Sequence, residues 1–239
     1  MFALLASVAA ATATGQAHAD SDRLVLATAD TAPYSTVAGD GFYDRLLTAA
    51  CARIGRSVQI EHYPSERGLI QADRGRVDGE FARTAAVADG YHNLIVVPEP
   101  LSVFRFVAVG PPGRPLPTTF GELSDLHVAY INGWKIYEDT VSRYRSLTIV
   151  ENEEQLFAVL RAGRVDVVLY SRYRAAAWSQ RHPEVPLAIA DTALATRDMH
   201  LLLHRSRSDL VPEIDAALRA LRDDGTYTDL YVSAFGYAP

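Results

Sequence analysis

The chain has 239 residues, 49% of them hydrophobic, and a formal net charge of −6. That length and apolar content suit one large or two small globular domains, and the acidic balance argues against a nucleic-acid binder. A single cysteine, Cys51, excludes a disulfide within the chain.

The first stretch, MFALLASVAAATATGQAHAD, carries no charge before Asp20 and ends in Ala-His-Ala ahead of that acid. Its apolar run is too short to span a bilayer comfortably. It reads as a signal peptide over residues 1–19, cut after Ala19, and predicts a soluble chain exported to a bacterial periplasm. LVLATA then reads as a strand, FYDRLLTAACARIG as a helix with Cys51 as a buried, inert thiol, and VQIEHY as a strand. GLIQADR is a helix that Ser65 can cap, and VDGEF is a half-polar, weak strand. VFRFVAVG is a strand, and GPPGRPLPTT, with four prolines and two glycines, is a stiff connection. HVAYI, WKIYEDTVSRY and LTIV follow as strand, helix and strand. EEQLFAVLRA is a helix opened by Asn152 with Gln155 three residues on, and VDVVLY is a buried parallel strand. The chain closes with a strand (MHLLLH), a helix capped by Ser208 or Asp209 with Pro212 in its first turn and Gly225 at its end, and a last helix, TYTDLYVSAFG.

Gly-Arg-Val-Asp occurs twice, at 75–78 and 163–166, each time between a helix and a strand. Each half therefore reads β-α-β-α-β, which demands a parallel sheet with helices on its faces. Two similar α/β lobes fit this repeat better than a solenoid does. The C-terminal strand and helices have no sheet of their own and are expected to return to the first lobe.

These stretches resemble the extracellular solute-binding family 3 group of bacterial periplasmic solute-binding proteins. The carriers are APY after the first strand, GFYDRLLTAACARIG, GLIQADRGRVDG, PEPLSVFRFVAVG, LFAVLRAGRVDVVL and LRDDGTYTDLYVSAFG, which together extend from about Leu24 to Gly236. The resemblance implies a two-lobe α/β fold of the type II periplasmic-binding class. Lobe 1 would hold residues 20–106 and 196–239, and lobe 2 residues 107–195, with crossings near Val107–Pro111 and Ala190–Thr196. It further implies a small-molecule ligand in a hinged cleft, an inner-membrane ABC-type permease as partner, a monomer, and no cofactor or metal.

Ligands in open α/β sheets sit at the carboxyl ends of strands. That rule nominates Tyr34; Glu66 and Arg67 at a helix start; Glu80 and Arg83; Asn132, Gly133 and Trp134; and Tyr170, Ser171 and Arg172. Tyr34 and Trp134 are flat apolar walls, although Trp134 also reads as lobe core. Arg67 and Arg172 read equally as ligand contacts or as surface ion pairs, and Glu80 as an arginine partner or a solvent-facing acid. Tyr170 is read as lining the cleft. Amino-acid binders of the resembling group carry a later arginine in lobe 1 and an aspartate at the end of the second-lobe strand. Here the first place reads RTAAVADGYHN and the second Tyr170-Ser171. An ammonium buried without a carboxylate is costly, so an anionic or neutral polar metabolite is expected unless Glu66 or Glu80 substitutes. Its anion would be held by Arg83, with help from Arg67 and the amides near Gly133.

No G-x-S-x-G, Walker A or G-x-G-x-x-G motif is present. His200 and His204 are four apart, but on a strand and without a third ligand. Non-enzymatic capture is the favoured reading. The alternatives are a cyclic-carboxylate dehydratase built on the same fold, with Glu80, Arg83 and Lys135 around the cleft, and a sensory module feeding a membrane receptor.

Overall fold

The structure is a computed structural model that describes residues 22–138, 144–236 and 239. The expected signal peptide lies outside the described residues, as does the second half of the helix expected over WKIYEDTVSRY. No described helix is long and apolar enough to cross a membrane.

The first half builds β1 (Arg23–Thr28), α1 (Phe42–Arg53), β2 (Ser57–His62), α2 (Ser65–Asp73) and β3 (Gly79–Arg83). The short β4 (Leu94–Val96) and the long β5 (Ser102–Gly110) follow. The second half repeats the order with β6 (His127–Ile131), α3 (Lys135–Glu138), β7 (Ser146–Val150), α4 (Glu153–Arg161) and β8 (Val167–Ser171). The chain ends with α5 (Arg172–Arg181), β9 (Ala188–Ile189), β10 (Ala195–His204), α6 (Leu210–Asp223) and α7 (Thr226–Phe235). The strand order is β2-β1-β3-β10-β5-β8-β6-β7, with β4 on β10 and β9 on β5.

Two parallel trios, β2-β1-β3 and β7-β6-β8, are thus related by the repeat, each with its first strand in the middle. The antiparallel strands β5 and β10 join them. Over Ala195–Met199, β10 pairs with Ser102–Phe106 of β5; from His200 onward it pairs with β3. From Phe106 onward, β5 pairs with β8. The chain therefore passes twice between two lobes, as expected. The second passage changes partner between Met199 and His200, a few residues later than the expected crossing near 190–196. On the first lobe, Phe42 of α1 meets the rings of Tyr227, Tyr231 and Phe235 of α7 at 5.4, 5.4 and 5.5 Å.

The repeated tetrapeptide has a shared task. Gly75 and Gly163 take left-handed φ values of 65° and 64°, the conformation that stops a helix without steric cost. Three residues on, each aspartate clasps the start of its lobe's middle strand. Asp78 N–H donates to Val25 O at 2.7 Å, and Asp78 Oδ2 accepts from Val25 N–H at 2.8 Å. Asp166 and His127 repeat the pair at 2.7 and 2.8 Å. Charged acceptors contribute about 1.5–3 kcal/mol per bond. Asp166→Ala is therefore expected to lower unfolding free energy by about 1–3 kcal/mol. Asp78→Ala should cost more, because Asp78 also receives Arg207 Nε at 2.7 Å. Urea denaturation of the two variants measures this, and unchanged midpoints would refute the clasp.

Local expectations met mixed outcomes. Asn152 does cap α4, its Oδ1 accepting from Gln155 N–H at 3.0 Å. Ser65 does not cap α2: Pro64 holds the cap position and Ser65 is the first helical residue. Of the weak-looking VDGEF segment, Gly79–Phe81 enters β3 together with Ala82 and Arg83, and that strand is buried along its whole length with Glu80 met inside by Arg83.

Candidate functional site

The carboxyl ends of the two trios face each other. From lobe 1 come Asp30, just past β1, Ser65 at the start of α2, and Arg83 at the end of β3. From lobe 2 come Gly133, Trp134 and Lys135, just past β6, Glu153 at the start of α4, and Arg174 in the first turn of α5. Between them lie two connected spaces. The inner one, about 40 Å³, is lined by Asp30, Arg83, Phe104, Phe106, Trp134 and Arg174 among others. The outer one, about 280 Å³, is bounded by Thr31, His62, Tyr63, Asn152 and Glu153 and shares Asp30, Ser65, Trp134 and Arg174 with the first. The outer space is large enough for a small solute, and the inner one is too small for more than a few water-sized groups.

Asp30 and Arg174 meet across this space. They are 5% and 3% exposed, and Arg174 Nη1 donates to Asp30 Oδ1 at 3.0 Å. The guanidinium also lies 5.3 Å from the Trp134 ring and 4.9 Å from the Tyr170 ring. Each partner keeps an unused polar atom: Asp30 Oδ2 and Arg174 Nε have no hydrogen-bond partner. Burial pushes the Asp30 carboxyl up to about 6 against the pull of Arg174. Glu153 sits beside them with its oxygens filled, accepting from Tyr170 Oη at 2.6 Å, Thr31 Oγ1 at 3.1 Å and Arg181 Nη2 at 3.0 Å.

Arg83 lines the inner space but is not the open anion clamp that the sequence suggested. Ala82, a non-glycine with φ 63°, is the extra residue of a bulge opposite His200 and Leu201, and it turns Arg83 back on its own strand. Its five N–H donors then meet protein acceptors. Nε and Nη2 reach Glu80 Oε1, Nη2 reaches Ser65 O at 2.7 Å, and Nη1 reaches Ser65 Oγ at 2.8 Å and Gly133 O at 3.4 Å. Glu80, fully buried, is therefore an arginine partner and not a solvent-facing acid. Burial raises its carboxyl to about 7 despite the guanidinium.

The other nominated residues divide clearly. Trp134 lines both spaces and stacks on Tyr170 at 5.0 Å, so it is a wall. Gly133 lines the inner space, but its N–H is taken by Glu138 Oε1 at 3.0 Å, so that amide is not open to an anion. Asn132 donates its N–H to Val150 O at 2.7 Å and lines neither space. Tyr170 is fully buried behind Trp134, which corrects its reading as a lining residue. Ser171 is buried as the cap residue of α5. Tyr34 is likewise core, packed against Tyr43, Phe104 and Phe235, and not a cleft wall. Arg67 is exposed over the Tyr63 ring, and Arg172 donates to Ala190 O at 2.6 Å and pairs with exposed Asp191; neither reaches the cleft. Glu66 lies at the rim, where it binds Lys135 Nζ at 2.8 Å and Tyr91 Oη at 2.9 Å.

Sequence reasoning missed Asp30 and Arg174. The signal for Asp30 was its place two residues past a strand end, in ATADTAPY. The signal for Arg174 was a second arginine in the first turn of a helix, two positions beyond the nominated Arg172. His200 and His204 bond Val97 O and Ser206 Oγ separately, and no metal-binding cluster occurs among the described residues.

No protein-family model and no curated protein matches the sequence. Solved structures do match. An ancestral arginine-binding protein bound to glutamine superimposes with a TM-score of 0.78 at 20% identity, over 90% of this chain and 99% of that one. The arginine-, lysine-, histidine-binding protein ArtJ from Geobacillus stearothermophilus gives 0.77 at 20%, over 91% and 96%. The GluR0 ligand-binding core from Nostoc punctiforme, in complex with L-glutamate, gives 0.75 at 20%, over 89% and 99%. At a fifth of residues identical, what is held in common is the backbone arrangement: this chain has the two-lobe type II periplasmic-binding fold of substrate-binding proteins.

Proposed function

We propose that the protein is a periplasmic solute-binding protein that captures a small polar amino acid between its lobes and delivers it to an ABC-type permease. Lobe 1 (20–106 and 196–239) and lobe 2 (107–195) would close as a monomer about the paired segments of β5 and β10. The observation that carries the reading is the Asp30–Arg174 pair. Two opposite charges, both more than nine-tenths buried and each with an unused polar atom, border one cavity from opposite lobes. A zwitterion suits such a site, its ammonium on Asp30 and its carboxylate on Arg174, because each buried charge then gains a partner. The aspartate missing from the second-lobe strand is thus supplied from lobe 1, and the purely anionic ligand held by Arg83 gives way to this reading. Trp134 would floor the site. Structural neighbours bound to glutamine, glutamate and arginine agree with it.

Turnover is not expected. The residues that the dehydratase reading needed are already engaged: Glu80 with Arg83, and Lys135 with Glu66 and Glu138. The test is a thermal-shift screen of the mature chain against amino acids, other zwitterions and small carboxylates. A ligand at one hundred times its Kd should stabilise the fold by about 2.7 kcal/mol. Stabilisation by amino acids is the expected outcome; stabilisation by dicarboxylates alone would overturn the zwitterion reading.

A further inference from the structure

At one edge of the inner space the lobes meet by direct contacts between their own residues. The Gly133–Lys135 turn of lobe 2 lies directly on the start of α2 and on Arg83 of lobe 1. Gly133 O accepts from Ser65 Oγ at 3.2 Å and from Arg83 Nη1 at 3.4 Å. Lys135 Nζ reaches Glu66 Oε2 at 2.8 Å. The backbones are so close that a Cβ on Gly133 would stand 2.7 Å from Glu66 N and 2.9 Å from Ser65 Oγ. Among 23 basic residues Lys135 is the only lysine, and it stands at this contact.

We propose that this contact is an interlobe latch, in which the Gly133–Lys135 turn docks into a socket formed by Ser65, Glu66 and Arg83 and holds the cleft closed through protein contacts alone. The proposal rests on the solute-binding reading only for what the closure serves. Both halves are braced on their own lobe before they meet. Glu138 holds the turn, one oxygen accepting from Gly133 N–H at 3.0 Å and the other binding Lys135 Nζ at 2.9 Å. Tyr91 Oη steadies Glu66 Oε1 at 2.9 Å, and Glu80 orients Arg83. Preorganised partners lose little entropy on docking. A compact ammonium suits the place, since one charged atom stands between Glu66 and Glu138, donating to Glu138 and ion-paired with Glu66, whereas a guanidinium presents a planar fork. Burial works against the charge of Lys135, but the bonds to the two carboxylates outweigh it, so the group stays an ammonium. Because the contact spans the lobes, its strength adds to the closed state whatever solute is bound, which sets affinity and release together.

The test measures lobe separation in the chain without added solute. Spin labels at Arg67→Cys and Glu154→Cys, on exposed sites at the two rims, report the distance by pulsed electron resonance. Cys51 is buried, with its thiol pushed up to about 11, so it stays unlabelled. Lys135→Met and Glu66→Gln should each lower the closed-to-open ratio about two- to fivefold, and non-additively together. Gly133→Ala wedges the contact and should lower that ratio about tenfold or more. Gly113→Ala is the control: its φ of 83° imposes the same backbone strain, but nothing lies within 4 Å of the added carbon. A distance distribution that Lys135→Met, Glu66→Gln and Gly133→Ala leave as in the parent overturns the latch. If the solute screen finds no binder while these shifts occur, the latch stands and the solute-binding reading falls.

Discussion

Replacing Arg174 by methionine is expected to weaken amino-acid binding by about a hundredfold or more, the largest effect of any single change in the cleft. The guanidinium is 3% exposed, bonds Asp30 at 3.0 Å and lies over Trp134 and Tyr170. Without it a solute carboxylate loses its charged partner, and Asp30 is left in a dry site near Glu153. Removing one member of a buried pair costs about 3–5 kcal/mol, most of it the penalty of the stranded charge. Here the stranded charge has an escape that a single-domain core lacks, since parting the lobes returns Asp30 to water. The loss should therefore appear more in affinity and lobe opening than in unfolding of either lobe. The double variant Asp30→Asn/Arg174→Met separates the effects. It should recover much of the thermal midpoint, because the Asp30 charge is removed with its partner while Glu153 keeps Arg181, and still fail to bind. Calorimetry with the best amino acid from the screen, alongside thermal denaturation, reads both. Near-parental affinity in Arg174→Met would remove the pair from the binding site.

Between pH 8 and pH 5 the fold should become more stable while the solute binds less tightly. Asp30 and Glu80 have ordinary values of 3.8 and 4.5 and are raised by burial to about 6 and about 7. Their folded values lie above the unfolded ones, so the folded chain takes up protons more readily. The resulting stabilisation is full below pH 4, and it is lost as the pH rises through about 6 and 7. At one pKa unit per 1.36 kcal/mol, the combined gain on acidification is on the order of a few kcal/mol. Solute binding runs the other way. An ammonium needs ionised Asp30, so affinity should fall below about pH 6, approaching tenfold per pH unit. Glu80→Gln divides the two slopes: it removes the part of the stability gain centred near 7 and leaves the binding profile in place. Thermal midpoints and calorimetric affinities at half-unit steps decide it. Affinity flat from pH 8 to 5 would exclude Asp30 as the ammonium partner.

Alternation of helix and strand, the doubled Gly-Arg-Val-Asp and the stiff proline segment made the two-lobe α/β plan legible in the sequence. These are local signals: a glycine that must turn left-handed, an apolar run buried on both faces, a cap residue in place. Local signals also pointed to the strand ends that border the cleft, where Arg83, Gly133 and Trp134 line the inner space. The roles of those residues depended on contacts between segments far apart in the chain. Arg83 carries five donors, and nothing in GEFAR tells that a bulge at Ala82 turns them onto Glu80, Ser65 and a carbonyl of the other lobe. Tyr34 and Tyr170 end up as core because rings from distant helices and strands cover them. Asp30 and Arg174 lie 144 positions apart, and a pairing at that distance has no signature in either neighbourhood. The sequence by itself determined the elements and the strand ends that border the cleft, because propensity and periodicity act over a few residues. Only the tertiary structure decided which charges are spent on each other and which keep an unused polar atom, because satisfaction of a buried polar group is a property of the whole surrounding shell.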